Sequence, residues 1–177
     1  MPIAAIGLGS NLPSTVGAPA KTIATAIGRL AEWGRVTALS ALYQTAPVGY
    51  VEQPAFVNAA VLLETELRPL PLLDALLGIE RSFGRDRVAG PPKGPRTLDL
   101  DLLLYDLLLY GDSVLGDLVL DEPELTLPHP AMHQRRFVLE PLQEIAPEWR
   151  HPVLGRTIAE LLAGLPQEDN SVARISE

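Results

Sequence analysis

The stretch GPRTLDLDLLL, residues 94–104, decides the fold, and it places two aspartates inside an otherwise apolar segment. Its leucines predict a buried β-strand, in which side chains alternate between the two faces of a sheet. Asp99 and Asp101 therefore point to the same face. Two carboxylates on one face repel each other and are costly to desolvate, so we expect a positive group beside them that keeps them ionised.

The segments before this strand alternate between strand and helix patterns. The sequence predicts strands over 2–8, 35–43 and 55–65, and amphipathic helices over 19–34 and 70–83. With the aspartate strand, the order is strand, helix, strand, strand, helix, strand. This order predicts an α+β fold, a ferredoxin-like (split βαβ) sandwich, whose mainly antiparallel sheet is covered on one side by two helices. Short helices are expected around 130–145 and 157–164.

Length and composition set the class of protein. A chain of 177 residues with 47% hydrophobic residues is long enough for one domain with a proper core, here 1–177. A net charge of -8 argues against a nucleic-acid-binding protein, and no apolar run is long enough to span a bilayer. The absence of cysteine excludes disulfides and thiolate metal sites. We expect a cytoplasmic monomer that binds neither nucleic acid nor membranes.

An internal repeat follows the aspartate strand. DLLLY occurs at 101–105 and again at 106–110, which indicates that 106–115 is a duplicated insertion of ten residues. The simplest interpretation is a longer hairpin at the edge of the sheet. Asp106 is five residues beyond Asp101 and would face away from the pair in an unbroken strand.

Cations surround the aspartate pair in the sequence. They are Arg85, Arg87, Lys93 and Arg96 on a loop rich in glycine and proline, followed later by His129 and Arg135. Carboxylates beside such cations suit a polyphosphate bound with magnesium, because the acids hold the metal and the arginines neutralise the phosphates. No P-loop and no kinase glycine loop occurs. A bare D-x-D pair is also common on the solvent-facing side of an edge strand, so that interpretation stays open at this point.

Five segments, in order along nearly the whole chain, resemble the hydroxymethyl-dihydropterin pyrophosphokinase family of folate biosynthesis. They are IGLGSNL, YQTAPVG, QPAFVNAAV, GPRTLDLDLLL and LPHPAMHQRRFVLEPL. The resemblance implies a ferredoxin-like fold and the transfer of pyrophosphate from ATP to the hydroxymethyl group of 6-hydroxymethyl-7,8-dihydropterin, which releases AMP. An aromatic residue commonly precedes the glycine of the G-P-R block in this family, and Lys93 stands there in this chain.

The resemblance also implies roles for individual residues. Asp99 and Asp101 match the pair that binds two magnesium ions, and Arg85 and Arg96 match arginines that assist the transfer. The positions that match the family's ATP site are Leu73, Leu77, Glu80, Arg87, Arg96, Leu102, Thr126, His129 and Arg135. The positions that match its pterin site are Thr45, Val48, Phe56, Asn58 and Phe137. On this interpretation, the two phenylalanines stack on the ring and the asparagine bonds its edge.

Other functions fit some of the same residues. A nucleotidyltransferase also uses two carboxylates on a ferredoxin-like sheet, but it releases pyrophosphate rather than AMP. A non-catalytic domain that binds nucleotide or pterin, or a family member disabled by the insertion, would keep the pocket without turnover. Phe56 and Phe137 could also be ordinary core residues, because apolar neighbours surround both.

Overall fold

A computed structural model describes residues 1–47, 52–87, 93–106, 118–167, 169 and 171–175. Its first strands and helix are β1 (Ile3–Ser10), α1 (Pro19–Leu30), β2 (Arg35–Leu39), β3 (Tyr43–Thr45) and β4 (Phe56–Glu64). They are followed by α2 (Pro69–Ser82), β5 (Asp99–Asp106), β6 (Leu120–Asp121), β7 (Thr126–Leu127) and a 3-10 turn (Met132–Gln134). The chain then forms α3 (Arg136–Ile145), α4 (Ile158–Ala163) and β8 (Val172–Arg174). Within the described residues, no helix has the length and apolarity that crossing a membrane requires.

The main sheet has the topology that the sequence predicts. Its strands run in the order β5, β1, β4, β3, β8, and β2 pairs with β4 beside β3. Every pairing in it is antiparallel. Strand β1 pairs with both β4 and β5, so the C-terminal end of β1 lies beside the N-terminal ends of β4 and β5. This arrangement confirms the ferredoxin-like α+β fold.

The predicted strand over 35–43 is in fact two strands. After β2, the Ser40 hydroxyl accepts a hydrogen bond from the Ala60 N–H at 2.9 Å. The next backbone N–H, that of Ala41, donates to the Glu144 carboxylate of α3 at 3.1 Å. Because a side chain from another layer takes this donor, the chain leaves the β4 ladder and rejoins it as β3.

The sheet is covered on both faces, so the expectation of helices on one side only is wrong. Helices α1 and α2 pack on one face, where Ile6, Leu100 and Leu102 belong to the same buried cluster as Ile23 and Leu76. Helices α3 and α4 pack on the other face, over a second buried cluster of Ala5, Ala60, Leu103, Leu104, Leu139, Leu142 and Ile158. The consecutive leucines of β5 carry the signal for this, because a strand buried on both faces has no polar alternation.

A β-bulge in β5 changes which face Asp106 occupies. Ile6 pairs with Leu102 but Ala5 pairs with Leu104, so Leu103 is an extra residue in the ladder. The bulge reverses the alternation, and Asp106, opposite Ile3, shares the face of Asp99 and Asp101. The expectation of an unbroken strand is therefore wrong. Asp106 still lies four β1 residues from Asp101, a separation of about 13 Å.

The proposed insertion stays a prediction, because 107–117 lie outside the described residues. Removing 106–115 would join Tyr105 to Gly116. The Tyr105 carbonyl already accepts a hydrogen bond from the Leu118 N–H at 2.9 Å. In the shortened chain that bond would close a four-residue turn. Glycine would be the first of the two central residues of this turn, which is the position where a type II′ turn prefers it.

We therefore expect the chain without 106–115 to fold and to unfold at or slightly above the parent's temperature, because the connection between Tyr105 and Leu118 becomes shorter. It should also keep most of its activity, since Asp99 and Asp101 lie upstream of the deletion. Thermal unfolding and steady-state assays check both points. A folded variant without turnover would show that the insertion shapes the site.

Candidate active site

A cavity of about 140 Å³ lies between the sheet and the start of α3, on the face that carries the aspartate pair. It is lined by Gly7, Leu8, Gly9, Thr45, Ala46, Phe56, Asn58, Ala59, Lys93, Arg96, Asp99, Asp101, Arg135, Phe137 and Val138. Strands β1, β3, β4 and β5, the residues before β5 and the start of α3 thus contribute to its walls. The cavity brings together four of the five predicted pterin residues, both aspartates and two of the predicted phosphate-binding arginines.

Asp99 is surrounded by the predicted cationic side chains. Arg96 Nη1 donates to Asp99 Oδ2 at 2.8 Å. Arg87 Nη2 lies 3.6 Å and Arg85 Nη2 3.9 Å from Asp99 Oδ1. Arg85 and Arg96 are largely buried, with 14% and 18% of their side chains exposed, so these charges act in a poorly solvated site. The loop 84–97 therefore folds its arginines onto the first of the two acids.

Asp101 has no such partner within salt-bridge distance among the described residues. Burial, followed by the negative charges of Asp99 and Glu80, raises the pKa of Asp101 to about 7. The positive charges of Arg135 and Arg87 oppose this shift only in part. Asp101, unlike Asp99, thus has no positive side chain in direct contact, and a bound cation would supply that charge.

The donor set suits magnesium. The two aspartates offer hard carboxylate oxygens, which is the ligand type that magnesium prefers. No group of three or more acids and histidines stands ready to hold a metal by itself in the described part of the chain. Magnesium commonly takes one or two carboxylates and completes its shell with substrate phosphates and water. The pair therefore fits a metal shared with a phosphorylated substrate rather than a closed protein cage.

The opposite side of the cavity carries aromatic rings and an amide. Phe56 and Phe137 are both half-buried and line the cavity. The guanidinium carbons of Arg96 and Arg135 lie 5.5 Å and 5.7 Å from the centroids of the Phe56 and Phe137 rings, respectively. Asn58 is buried, and its Nδ2 donates to Thr45 Oγ1 at 2.7 Å. Flat heteroaromatic ligands bind in sites of this kind, with ring faces for stacking and a few fixed polar groups.

The other residues predicted for ATP lie outside the lining of this cavity. Leu73 and Leu77 are half-buried on α2, Leu102 is buried in the first core, and Thr126 is exposed on β7. Their assignment to the nucleotide stays a prediction. Val48, predicted to contact the pterin, lies outside the described residues.

His129 is fixed at the C-terminal side of β7. Its backbone N–H donates to the Leu103 carbonyl at 2.9 Å, and its Nδ1 accepts from the Ala131 N–H at 3.2 Å. Burial, followed by the charge of Arg135, lowers the pKa of His129. The ring is therefore neutral at pH 7 and carries its proton on Nε2, which makes Nε2 a hydrogen-bond donor.

Asn11 ties two segments of the site together, although the sequence patterns do not single it out. Asn11 is 2% exposed, and its Nδ2 donates to Gln53 Oε1 and to the Pro54 carbonyl, both at 2.9 Å. Its Oδ1 accepts from the Arg96 N–H at 2.8 Å. Gln53 in turn donates to the Lys93 carbonyl at 3.0 Å. The signal was present in the sequence, because an amide directly after a buried strand needs partners.

Gly9 is the second residue that sequence reasoning missed. It faces Asn58 across the β1–β4 ladder and Asp99 across the β1–β5 ladder. A Cβ at this position would lie 2.9 Å from Asn58 Oδ1. Glycine therefore leaves room for the amide at the floor of the cavity, a requirement that depends on pairing and not on local pattern.

Comparisons with known proteins identify the family of the chain. Residues 5–147 match the family model of 7,8-dihydro-6-hydroxymethylpterin-pyrophosphokinase (HPPK). The chain is 45% identical over 166 residues to a 2-amino-4-hydroxy-6-hydroxymethyldihydropteridine pyrophosphokinase of Pseudomonas aeruginosa, which covers 92% of this chain and 91% of that protein. A Synechocystis protein of the same name is 41% identical over 161 residues, or 90% of this chain and 74% of that one.

A solved structure shares the fold. The wild-type HPPK-DHPS protein of Plasmodium falciparum aligns with a TM-score of 0.63 at 18% identity over 92% of this chain. This chain spans 43% of that longer protein. On the family match and the identity to full-length relatives, the chain belongs to the 7,8-dihydro-6-hydroxymethylpterin-pyrophosphokinase family.

Proposed function

We propose that this chain carries out its family's reaction in the cavity described above, with Asp99 and Asp101 as the ligands of two magnesium ions. The reaction transfers pyrophosphate from ATP to the hydroxymethyl group of 6-hydroxymethyl-7,8-dihydropterin, a step of folate biosynthesis. The observation that supports the site assignment best is the same-face aspartate pair, which shares one cavity with Arg96, Asn58 and two phenylalanines.

The chemical step is a substitution at the β-phosphorus of ATP. The pterin hydroxymethyl oxygen bonds to that phosphorus while the bridge to the α-phosphate breaks, so AMP leaves and the hydroxyl proton is lost. Bound magnesium supplies charge neutralisation on the phosphate oxygens. The protein contributes mainly by positioning the reactants and by holding fixed charges where negative charge develops.

The pterin half of the cavity orients the acceptor. Phe56 and Phe137 would stack on the ring, and the Asn58 amide, steadied by Thr45, would bond its polar edge. Because the same cavity contains Asp101, we expect the hydroxymethyl oxygen of a ring bound in this way to lie near the aspartate pair.

The cationic half neutralises the transferred group. Arg85 and Arg96 are the catalytic arginines of the proposal, since both are largely buried beside Asp99. Arg87 and Arg135 would contact further phosphate oxygens, and His129 Nε2 would donate to the nucleotide. Leu73, Leu77, Leu102 and Thr126 complete the proposed ATP site.

Gly9→Ala tests the pterin half. The added methyl group would displace the Asn58 amide, because its Cβ would lie 2.9 Å from Asn58 Oδ1. We expect the KM for the pterin to rise by roughly tenfold or more while the KM for ATP stays near the parent value, since one buried polar contact is lost. Steady-state kinetics with each substrate varied in turn measure this. Gly28→Ala, on a helix with open space around it, is the matched control.

Product identity tests the proposed reaction and separates it from the alternatives. Incubation with ATP, the pterin and magnesium should yield AMP and a pterin diphosphate, and excess chelator should stop turnover. Pyrophosphate as the nucleotide-derived product would indicate a nucleotidyltransferase instead. Binding of both substrates without any product would indicate a non-catalytic or disabled protein.

The proposal also includes a cytoplasmic monomer that binds no nucleic acid. The net charge of -8 supports the last of these points, because it repels polyanions in general while the local arginines hold one small anionic substrate.

A further inference from the structure

We propose that Glu80 is a positioning residue, which sets the geometry of Arg87 and of the aspartate strand, rather than a contact to the nucleotide. The proposal rests on the proposed function, because the groups that Glu80 orders are those assigned to magnesium and phosphate. It departs from the role that family resemblance implies for this residue.

The Glu80 carboxylate is enclosed and fully engaged. Glu80 lies in the last turn of α2 and is 1% exposed. Arg87 Nε donates to its Oε2 at 2.8 Å, and Arg87 Nη2 donates to its Oε1 at 2.6 Å. A two-pronged pair of this kind fixes the plane of the guanidinium as well as its position. Nearly half of the Arg87 side chain stays exposed to solvent, whereas the Glu80 side chain is buried. Glu80 therefore holds the Arg87 guanidinium at the surface and does not reach the surface itself.

The same carboxylate holds the backbone between the two aspartates. Its Oε1 also accepts the N–H of Leu100 at 2.9 Å. Strand β5 is the terminal strand of the described main sheet, so an N–H on its outer side lacks a ladder partner there. Glu80 takes the place of that partner midway between Asp99 and Asp101. Any shift of this carboxylate would therefore move the strand that carries both proposed magnesium ligands.

The main chain of Glu80 adds a third contact. Its carbonyl accepts the N–H of Arg85 at 3.1 Å. One residue thus fixes the Arg85 backbone, the Arg87 guanidinium and the Leu100 amide. To reach a nucleotide, the carboxylate would have to break its two bonds to Arg87 and leave the buried Leu100 N–H without its partner, which is costly. This cost favours positioning over substrate contact.

The first test is kinetic. Glu80→Gln keeps the size of the side chain but replaces one acceptor oxygen with a donor that faces Arg87 or Leu100. We expect kcat to fall by roughly tenfold or more while the KM for ATP changes by less than about threefold, because the transition-state geometry is lost and ground-state binding is not. Asp74→Asn, at an exposed position of the same helix, should leave both values unchanged. A raised KM for ATP with kcat preserved, or two unchanged values, would overturn the proposal.

The second test uses the unaltered protein and needs no turnover. The Leu100 amide should stay protected from hydrogen exchange both in the free protein and in the complex with magnesium and α,β-methylene ATP. Loss of that protection in the complex would show that Glu80 has released the strand to contact the nucleotide. If the proposed function itself were wrong, the parent would make no AMP, an outcome separate from both tests.

Discussion

Asp101→Asn is expected to lower kcat by roughly a thousandfold, on the scale expected when a metal ligand and its charge stabilisation are lost. The substitution keeps the size of the side chain, so the cavity and its lining should persist. Single-turnover measurements with saturating substrates and magnesium separate a slower chemical step from weaker binding. Turnover at the parent rate would show that Asp101 holds no metal required for the reaction.

The same variant should be more stable than the parent when no metal is bound. Burial and neighbouring acids raise the pKa of Asp101 to about 7 in the folded protein, above its ordinary value of 3.8. The folded state therefore binds this proton more tightly than the unfolded state, and its stabilising effect is lost as the pH rises through about 7. In chelator, the gain from Asp101→Asn should be near zero at pH 4 and approach roughly 4 kcal/mol at pH 8, because a difference of one pKa unit corresponds to about 1.4 kcal/mol.

Asp99→Asn is the matched comparison. It should also abolish most activity, but without the gain in stability, because Asp99 accepts a hydrogen bond from Arg96 at 2.8 Å. Denaturant unfolding of both variants at pH 4 and pH 8 checks the contrast. Equal stability changes in the two variants would contradict the unequal distribution of positive charge around the pair.

Arg96→Ala is expected to have the next largest effect, a loss of roughly 10²- to 10³-fold in kcat, which is typical for one well-placed charge stabiliser. Arg96 lies beside both Asp99 and Phe56, at the junction of the two halves of the cavity. Arg96→Lys should recover only part of the rate, because lysine keeps the charge but lacks the planar fork. Rapid-quench measurement of the first turnover is the readout. Weaker ATP binding with an unchanged single-turnover rate would indicate that Arg96 only anchors substrate.

The sequence predicts the order of elements as far as β5 because local patterns and turn signals suffice for it, but it does not predict β8, a strand of three residues that pairs with β3. It does not predict the second helical layer, because α3 and α4 are short and the apolar run of β5 indicates burial on both faces without showing which elements cover the second one. The bulge at Leu103 cannot be predicted from the sequence either, since it arises from how two strands pair and not from either strand alone.

The residues of the candidate site also differ in whether the sequence can predict their role. Asp99 and Asp101 can be singled out as site residues, because charged side chains inside an otherwise apolar strand need a polar or charged partner. The contacts of Gly9, Asn11 and Glu80 cannot, because each depends on a partner from a different element of the chain. Resemblance to a family indicates which positions match the family's site, but it does not show which hydrogen bonds those residues make.

In the proposed site, Asp99 and Asp101 hold two magnesium ions between the protein and its substrates. The most direct measurement is a crystal structure of the complex with manganese, α,β-methylene ATP and 6-hydroxymethyl-7,8-dihydropterin, with anomalous scattering used to locate the metal. We predict two anomalous peaks, each within direct bonding distance of a carboxylate oxygen of the pair. An ordered complex of both substrates with no metal on Asp99 or Asp101 would contradict the account.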